Sequence, residues 1–156
     1  MDRRFFVIGG VAALGLGVSG CSTAGLLDLS VSGGDSEIVT GKVLASVNRL
    51  RAAEGKPRLS SDRNLGRQAR EHAEYMARKG RMSHDNFARR MKRWNIDLPA
   101  AENVAEGQKD AAGMFEAFRR SPKHFDNMLV GDFRKLGVGV ARDRNGRNYW
   151  VMGLSG

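Results

Sequence analysis

From residue 43 to about residue 118, apolar side chains return at helical intervals. Val43, Leu44, Val47 and Leu50 form one stripe, which predicts a helix beginning near Asp35 or Ser36 and stopped by Gly55 and Pro57. Leu65, Ala69, His72, Ala73 and Met76 form a second, opened by Ser61 or Asp62 as N-cap and closed by Gly80. A short third helix carries Phe87, Met91 and Trp94. A fourth, near Asp110 to Arg120, buries Met114, Phe115 and Phe118, and Ser121-Pro122 then opens another short turn of helix in the preferred cap-then-proline order. Beyond it the period changes. Val138, Val140 and the run from Tyr149 to Met152 are strand-like, and Asn145-Gly146 between them signals a type I′ hairpin whose polar flanks can lengthen the loop. There is no internal repeat, heptad or low-complexity block. The pattern predicts an α+β fold, with helices packed on a small antiparallel sheet.

The N-terminus follows a different logic. Asp2-Arg3-Arg4 is a basic start, Phe5 to Val18 is an apolar run broken by glycines, and Val18-Ser19-Gly20-Cys21 is small-residue sequence closing on a thiol. Together they read as a secretory signal, because the run is too short for a membrane span. Val18-Ser19-Gly20-Cys21 also resembles a bacterial lipobox, in which the cysteine is lipidated and becomes the first mature residue. The expected organisation is a lipoprotein signal over 1–20, a lipidated Cys21 with a Ser-, Gly- and Thr-rich tether over 21–35, and one folded domain over 36–156. Several acyl chains would anchor it stably, at roughly 0.8 kcal/mol per buried methylene. Ser22 after the cysteine, in place of Asp, favours outer-membrane sorting in a two-membrane host. The expected location is therefore export followed by membrane anchoring, on the periplasmic face of an outer membrane or on the cell surface. Cys21 is the single cysteine, so no internal disulfide forms and the core alone must hold the fold.

Composition narrows the partners. With 156 residues, 41% of them hydrophobic, the chain holds one domain plus accessories and is not a disordered polymer. From Cys21 onward it keeps 24 of 26 basic and 16 of 17 acidic residues, a net +8 that favours anionic lipid headgroups or cell-wall polymers. Nucleic acid, the other partner such charge suits, is argued against by the export signal. Arginine pairs such as Arg89-Arg90 and Arg119-Arg120 read as solvated helix faces ahead of a dedicated binding patch. A monomer is expected.

The candidate chemistry lies between helices. His84, Glu102-Asn103, Ser121, His124 and Asn127 gather two of the three histidines with a carboxylate and hydrogen-bonding side chains, the residue types that line clefts, ligate metals or move protons. His84 follows the glycine stop of the second helix, where it either points into a cleft or serves as a hydrogen-bonded structural residue. His124 stands near a helix start, whose unpaired N–H groups disfavour imidazolium and leave a neutral ring, the better metal ligand. Asn103 fits a backbone-fixing role. Ser121 and His124 have the spacing of a nucleophile and base, with Glu102 as orienting acid, but no nucleophile elbow or oxyanion signature accompanies them, and Ser121 before Pro122 is read as an N-cap. His72, on the apolar stripe of the second helix, is assigned to the core.

At these residues the chain resembles the CAP superfamily, the extracellular SCP-like domains shared with antigen 5 and plant pathogenesis-related proteins 1. Val47-Asn48-Arg49-Leu50-Arg51 with Gly55-Lys56-Pro57 is similar to the family's first helix and its exit, and Ala69 to Met76 to its second. Ala101-Glu102-Asn103-Val104-Ala105-Glu106-Gly107 is similar to the Gly-Glu-Asn motif, and Phe118-Arg119-Arg120-Ser121-Pro122-Lys123-His124 to the bacterial Trp-x-x-Ser-Pro-Gly-His motif. Leu136 to Val140 with Tyr149 to Val151 resembles the closing hairpin. The resemblance implies an α-β-α sandwich. It also implies a cavity of two histidines, at His84 and His124, and two acidic groups that hold a divalent metal in some members. Glu102 matches the first acidic position. The second falls on Ser121, and Glu116 is offset by two residues from Phe118 and faces elsewhere, so the acidic set is incomplete.

Two functions follow as expectations. The first is a lipid-anchored, non-catalytic module that binds lipid, a hydrophobic small molecule or cell-wall material through the cleft of His84, Glu102, Asn103, Ser121 and His124, as several family members bind sterols or other lipids. It requires no cofactor. A pocket lined by Met82, Phe87, Met91 and Trp94 would extend that cleft, although plain core packing explains those four as well. The alternative is a metal-assisted or acid-base hydrolase of envelope polymers or peptides, with His84, Glu102 and His124 as working groups and zinc held by His84 and His124.

Overall fold

Residues 35–156 are described by a computed structural model; the expected signal, lipidated Cys21 and tether, up to residue 34, lie outside the described residues. In chain order the elements are β1 (Ser36–Ile38), α1 (Thr40–Ala53), β2 (Ser60–Ser61), α2 (Arg63–Lys79), α3 (Phe87–Arg93), β3 (Ala100–Glu106), α4 (Ala111–Arg120), α5 (Pro122–Leu129), β4 (Lys135–Arg142) and β5 (Asn148–Ser155). The sheet runs β1-β4-β5-β3 with antiparallel pairing throughout, and the two residues of β2 add a short parallel pairing to β4. Helices cover both faces, α2 on one and α1, α4 and α5 on the other. This is the expected α+β, α-β-α sandwich. Among the described residues no helix is long and apolar enough to cross a membrane.

Alternation along the strands builds two different layers. Leu136, Val138, Trp150, Met152 and Leu154 point to one face and join Val43, Val47, Met114, Phe118, Met128 and Phe133 in the larger core. The opposite face carries Ala141, Tyr149, Val151 and Val104, against Ala69, Ala73 and Met76 of α2. There the sheet offers Gly137 and Gly139, and a Cβ built on them would stand 2.3 Å from the Gly66 amide nitrogen and 2.2 Å from that of Arg70. Helix α2 therefore rests on the strand backbone itself, a seat that only glycine permits.

The predicted helix ends hold where local chemistry decides them. Asp62 Oδ1 accepts the Leu65 amide at 2.8 Å, Gly80 closes α2 at φ 65°, and Asp110 Oδ1 accepts the Gly113 amide at 2.8 Å. Three details differ. The first helix starts at Thr40 instead of Asp35 or Ser36, because residues 36–38 pair with Gly139–Ala141 and sheet pairing outweighs the Ser36 capping signal. Asn145-Gly146 does not form a type I′ turn. Positive φ falls on Gly146 alone, at 81°, and Asp143 closes a longer loop by accepting the Gly146 amide on its carbonyl and those of Asn145 and Arg147 on Oδ1. Ser121 occupies the N-cap position of α5, but its side chain makes no capping hydrogen bond.

Arg51 and Asn48 fasten the exit of α1. The fully buried Arg51 donates to the carbonyls of Pro57, Met128, Val130 and Phe133 at 2.7, 2.7, 3.0 and 3.2 Å, and so caps the open carbonyl end of α5. Asn48 exchanges both backbone hydrogen bonds with Leu59, at 2.8 and 2.9 Å. Among the described residues, all pairing of the sheet and both cores close within residues 36–155, so this stretch has a complete sheet and a core of its own.

Candidate functional site

Strand β3 forms the edge of the sheet, so side chains from both helical layers can approach it. Its alternation puts Glu102 on the α2 face beside Val104, and Asn103 on the other. Glu102 is buried to 7% exposure between the His84 loop and α3. His84 Nδ1 donates to its Oε1 at 2.9 Å, while the Arg90 guanidinium donates to Oε2 at 2.6 Å and to Oε1 at 2.9 Å. Such two-pronged binding is the geometry in which arginine holds a carboxylate most strongly. Arg90 is itself fixed, through Nε to the Asp85 carbonyl at 2.9 Å and by lying 5.8 Å over the Phe87 ring.

His72 completes the cluster from below. Its ring is buried, Nε2 donates to the Ser83 carbonyl at 2.7 Å, and the same nitrogen lies 3.8 Å from Glu102 Oε1. Burial alone would raise the Glu102 pKa, but the hydrogen bonds from His84 and Arg90 and the charge of Arg90 outweigh it and bring the value down to about 2. The carboxylate is thus ionised throughout the physiological range. Its hydrogen bond raises the pKa of the half-exposed His84, against the opposing effect of burial. Burial depresses the pKa of His72, with Glu102 and the Ser83 carbonyl working the other way.

The other predicted residues sit across the strand. Asn103 donates to the His124 carbonyl at 2.9 Å and accepts from Asn127 at 2.8 Å, tying β3 to α5 in the backbone-fixing role expected of it. The His124 ring meets Phe118 edge-on at 4.9 Å. Its pKa is lowered by burial first and then by the charge of His84. Among the described residues no hydrogen bond joins Ser121 to His124, and Glu116 pairs with Arg119 at 2.9 Å on the surface. Met91 is core, Met82 is exposed, and Trp94 Nε1 donates to Glu71 at 2.8 Å, which leaves Met82, Phe87, Met91 and Trp94 as no common lining.

Arg90 is the residue that sequence reasoning missed, having been read as half of a solvated pair. One signal was present: it lies three residues after Phe87 and four before Trp94, on the border of the apolar stripe of α3. His72 was correctly placed in the core, but its contact with Glu102 has no sequence signature.

A divalent cation does not fit this cluster. It would have to displace a guanidinium already bound to both oxygens of Glu102, and it would meet that positive charge at close range. His84 donates Nδ1–H to Glu102 and keeps Nε2, a single nitrogen, for any other partner. Among the described residues no three His, Cys, Asp or Glu side chains are grouped to hold a metal ion.

Three layers with a histidine–carboxylate cluster at the sheet edge define an SCP-like domain. The model of the CAP, cysteine-rich secretory protein, family matches residues 44–154, and the chain belongs to that family. No curated protein matches the sequence. Among solved structures, an outer surface protein of Borrelia burgdorferi superposes with a TM-score of 0.67 at 18% identity, covering 78% of this chain and 96% of that one. An extracellular SCP-domain protein of Bacillus anthracis gives 0.66 at 22% identity, covering 74% of this chain and 39% of that one. A cysteine-rich secretory protein of Staphylococcus aureus gives 0.59 at 17%, covering 72% and 37%. The chain thus spans about two-fifths of the last two proteins, and at these identities the likeness establishes the fold alone.

Proposed function

We propose that this chain is an exported, lipid-anchored envelope protein whose CAP domain is a non-catalytic binding module for a lipid or another amphiphile with an anionic head. The observation that carries the reading is a groove of about 470 Å³ between α1 and α4. Val43, Leu50 and Phe115 give it an apolar floor, and Arg49 stands along its rim with Lys42 and Arg119, whose charges are shared with Glu37 and Glu116 at 2.9 Å each. That combination suits an acyl chain below and a carboxylate or phosphate above. The groove is proposed as the ligand route in preference to the His84–Glu102 cluster, because both oxygens of the carboxylate are already spent. The same saturation weighs against the hydrolase alternative: a general base ionised down to about pH 2 and clamped by arginine has neither the basicity nor the freedom to take a proton. Export is supported by the Asp2-Arg3-Arg4 start and the small residues before Cys21, and by solved relatives described as outer-surface or extracellular proteins.

Titration of the domain with a fluorescent fatty acid tests the proposal. Saturable binding is expected in the parent and in His124→Ala, and its loss in Ala112→Trp, which fills the groove from an exposed position and leaves the core untouched. Equal binding by Ala112→Trp, or turnover of envelope polymers that disappears in His124→Ala, would overturn it.

A further inference from the structure

We propose that the outer surface of α2 and α3 is a docking face for an anionic phospholipid bilayer, the membrane on which the chain is anchored; this rests on the lipid-anchor reading above. Between residues 63 and 93 the chain places ten arginines and lysines against three carboxylates. All three carboxylates are engaged. Glu71 accepts from Arg93 and Trp94 at 2.8 Å each, Glu74 accepts from Ser36 at 2.7 Å and lies 3.5 Å from Arg70, and Asp85 accepts from Tyr75 and Arg81 at 2.9 and 3.2 Å. The remaining positive charge points outward. Arg63, Arg67 and Arg78 are exposed and recur along one stripe of α2, over roughly 22 Å at the helical rise per residue, with the Arg70–Glu74 pair between them. Arg89 and Lys92 add exposed charge from α3, which Arg93 and Trp94 hold beside α2 through Glu71.

Geometry at the domain's entry argues for a bilayer as the occupant. The chain enters on the α2 layer: Ser36 bonds Glu74, and Ile38 lies over Gly66, its Cγ2 3.0 Å from where a Cβ would stand. The described chain therefore begins, at Asp35 and Ser36, beside the arginine stripe. Fourteen residues separate Cys21 from Asp35, so a lipid on Cys21 keeps the bilayer within at most roughly 50 Å of that face, the limit of a fully extended chain. Each exposed cation near an anionic surface strengthens binding severalfold, and the stripe offers them in register along one helix.

The test is sedimentation of residues 35–156 with vesicles of phosphatidylcholine containing about one-third phosphatidylglycerol, against phosphatidylcholine alone. Binding to the anionic vesicles only is expected. The triple variant Arg63→Gln/Arg67→Gln/Arg78→Gln should weaken it on the order of a hundredfold, and Lys56→Gln/Arg120→Gln/Lys123→Gln, which removes the same charge elsewhere, only a few-fold. Equal losses in the two variants, no vesicle binding by the parent, or preferential pelleting with purified peptidoglycan would each overturn the proposal. Mass spectrometry of the full chain expressed in bacteria reads the anchor separately. An unacylated Cys21 would sink the lipid-anchor reading, whatever the vesicles report on the face.

Discussion

The two faces of the sheet are built on opposite principles. Toward α1, α4 and α5 the strands send out Leu136, Val138, Trp150, Met152 and Leu154, and the layers are held apart by side chains. Toward α2 they present Gly137, Gly139 and Gly153, and helix and strand meet almost backbone to backbone. The Glu102 cluster lies on the second face. A helix resting on main chain has little room to shift, so His72 is set with the stiffness of the sheet, whereas a layer of large side chains can relax around a change. The face that holds the ionised cluster is the one with the least slack.

Neighbouring residues of β4 turn this into the largest expected effect. Leu136→Ala empties part of the larger core and should cost about 2–5 kcal/mol through the cavity it leaves. Gly137→Ala adds one methyl on the opposite face, where it would stand 2.3 Å from the Gly66 nitrogen with only backbone to yield. Its cost is expected above about 4 kcal/mol, enough to lose the folded state near 37 °C. Urea unfolding of the two variants decides the matter. If Gly137→Ala proves the milder, the close seating of α2 is wrong.

The next effect tests the cluster that this seat supports. Arg90→Met strands a buried carboxylate with His84 as its remaining close partner, and should destabilise by about 3–5 kcal/mol. Glu102→Gln in the same chain removes the charge that needed Arg90, so the double variant should recover most of that loss. Additive losses in the double-mutant cycle would mean that the two side chains are not coupled. On the other face, Asn103→Ala removes hydrogen bonds to the His124 carbonyl and Asn127 and is expected to cost only about 1–3 kcal/mol.

The same contrast explains what the sequence disclosed. The large core was legible because apolar stripes at positions such as Val43, Val47, Met114 and Phe118 state their own burial. So were the ends of α2, where Asp62 and Gly80 act within a few residues of their targets. The glycine seat was not, since Gly137 and Gly139 in a strand announce a close approach without saying what approaches. Arg90 was hidden for a related reason. Its partner lies twelve residues away on another element, and its pairing with Arg89 looked like solvated surface. His84 and Glu102 were found because the motif marks them, but no motif marked the counter-charge that decides what they can do.

The smallest effect is a pH signature that separates the histidines. His84 has a folded pKa raised by Glu102, so its contribution to stability is fully present below its unfolded pKa, near 6.5, and fades as pH rises through the raised folded value. His72 and His124 have depressed folded pKa values, mainly from burial, so the folded state resists their protonation and loses stability as pH falls below about 6.5. Glu102 stays ionised across this window and destabilises only as pH falls from the ordinary carboxylate range toward about 2. His84→Gln should therefore be less stable than the parent at mildly acidic pH and converge on it above neutrality. His84 is 56% exposed, so solvent screening limits the gap to about a few tenths of a kcal/mol. Urea midpoints of the two proteins across that range read it directly. A gap that stays constant with pH would mean that His84 carries no extra proton in the folded state, and that Arg90 alone holds Glu102 in charge balance.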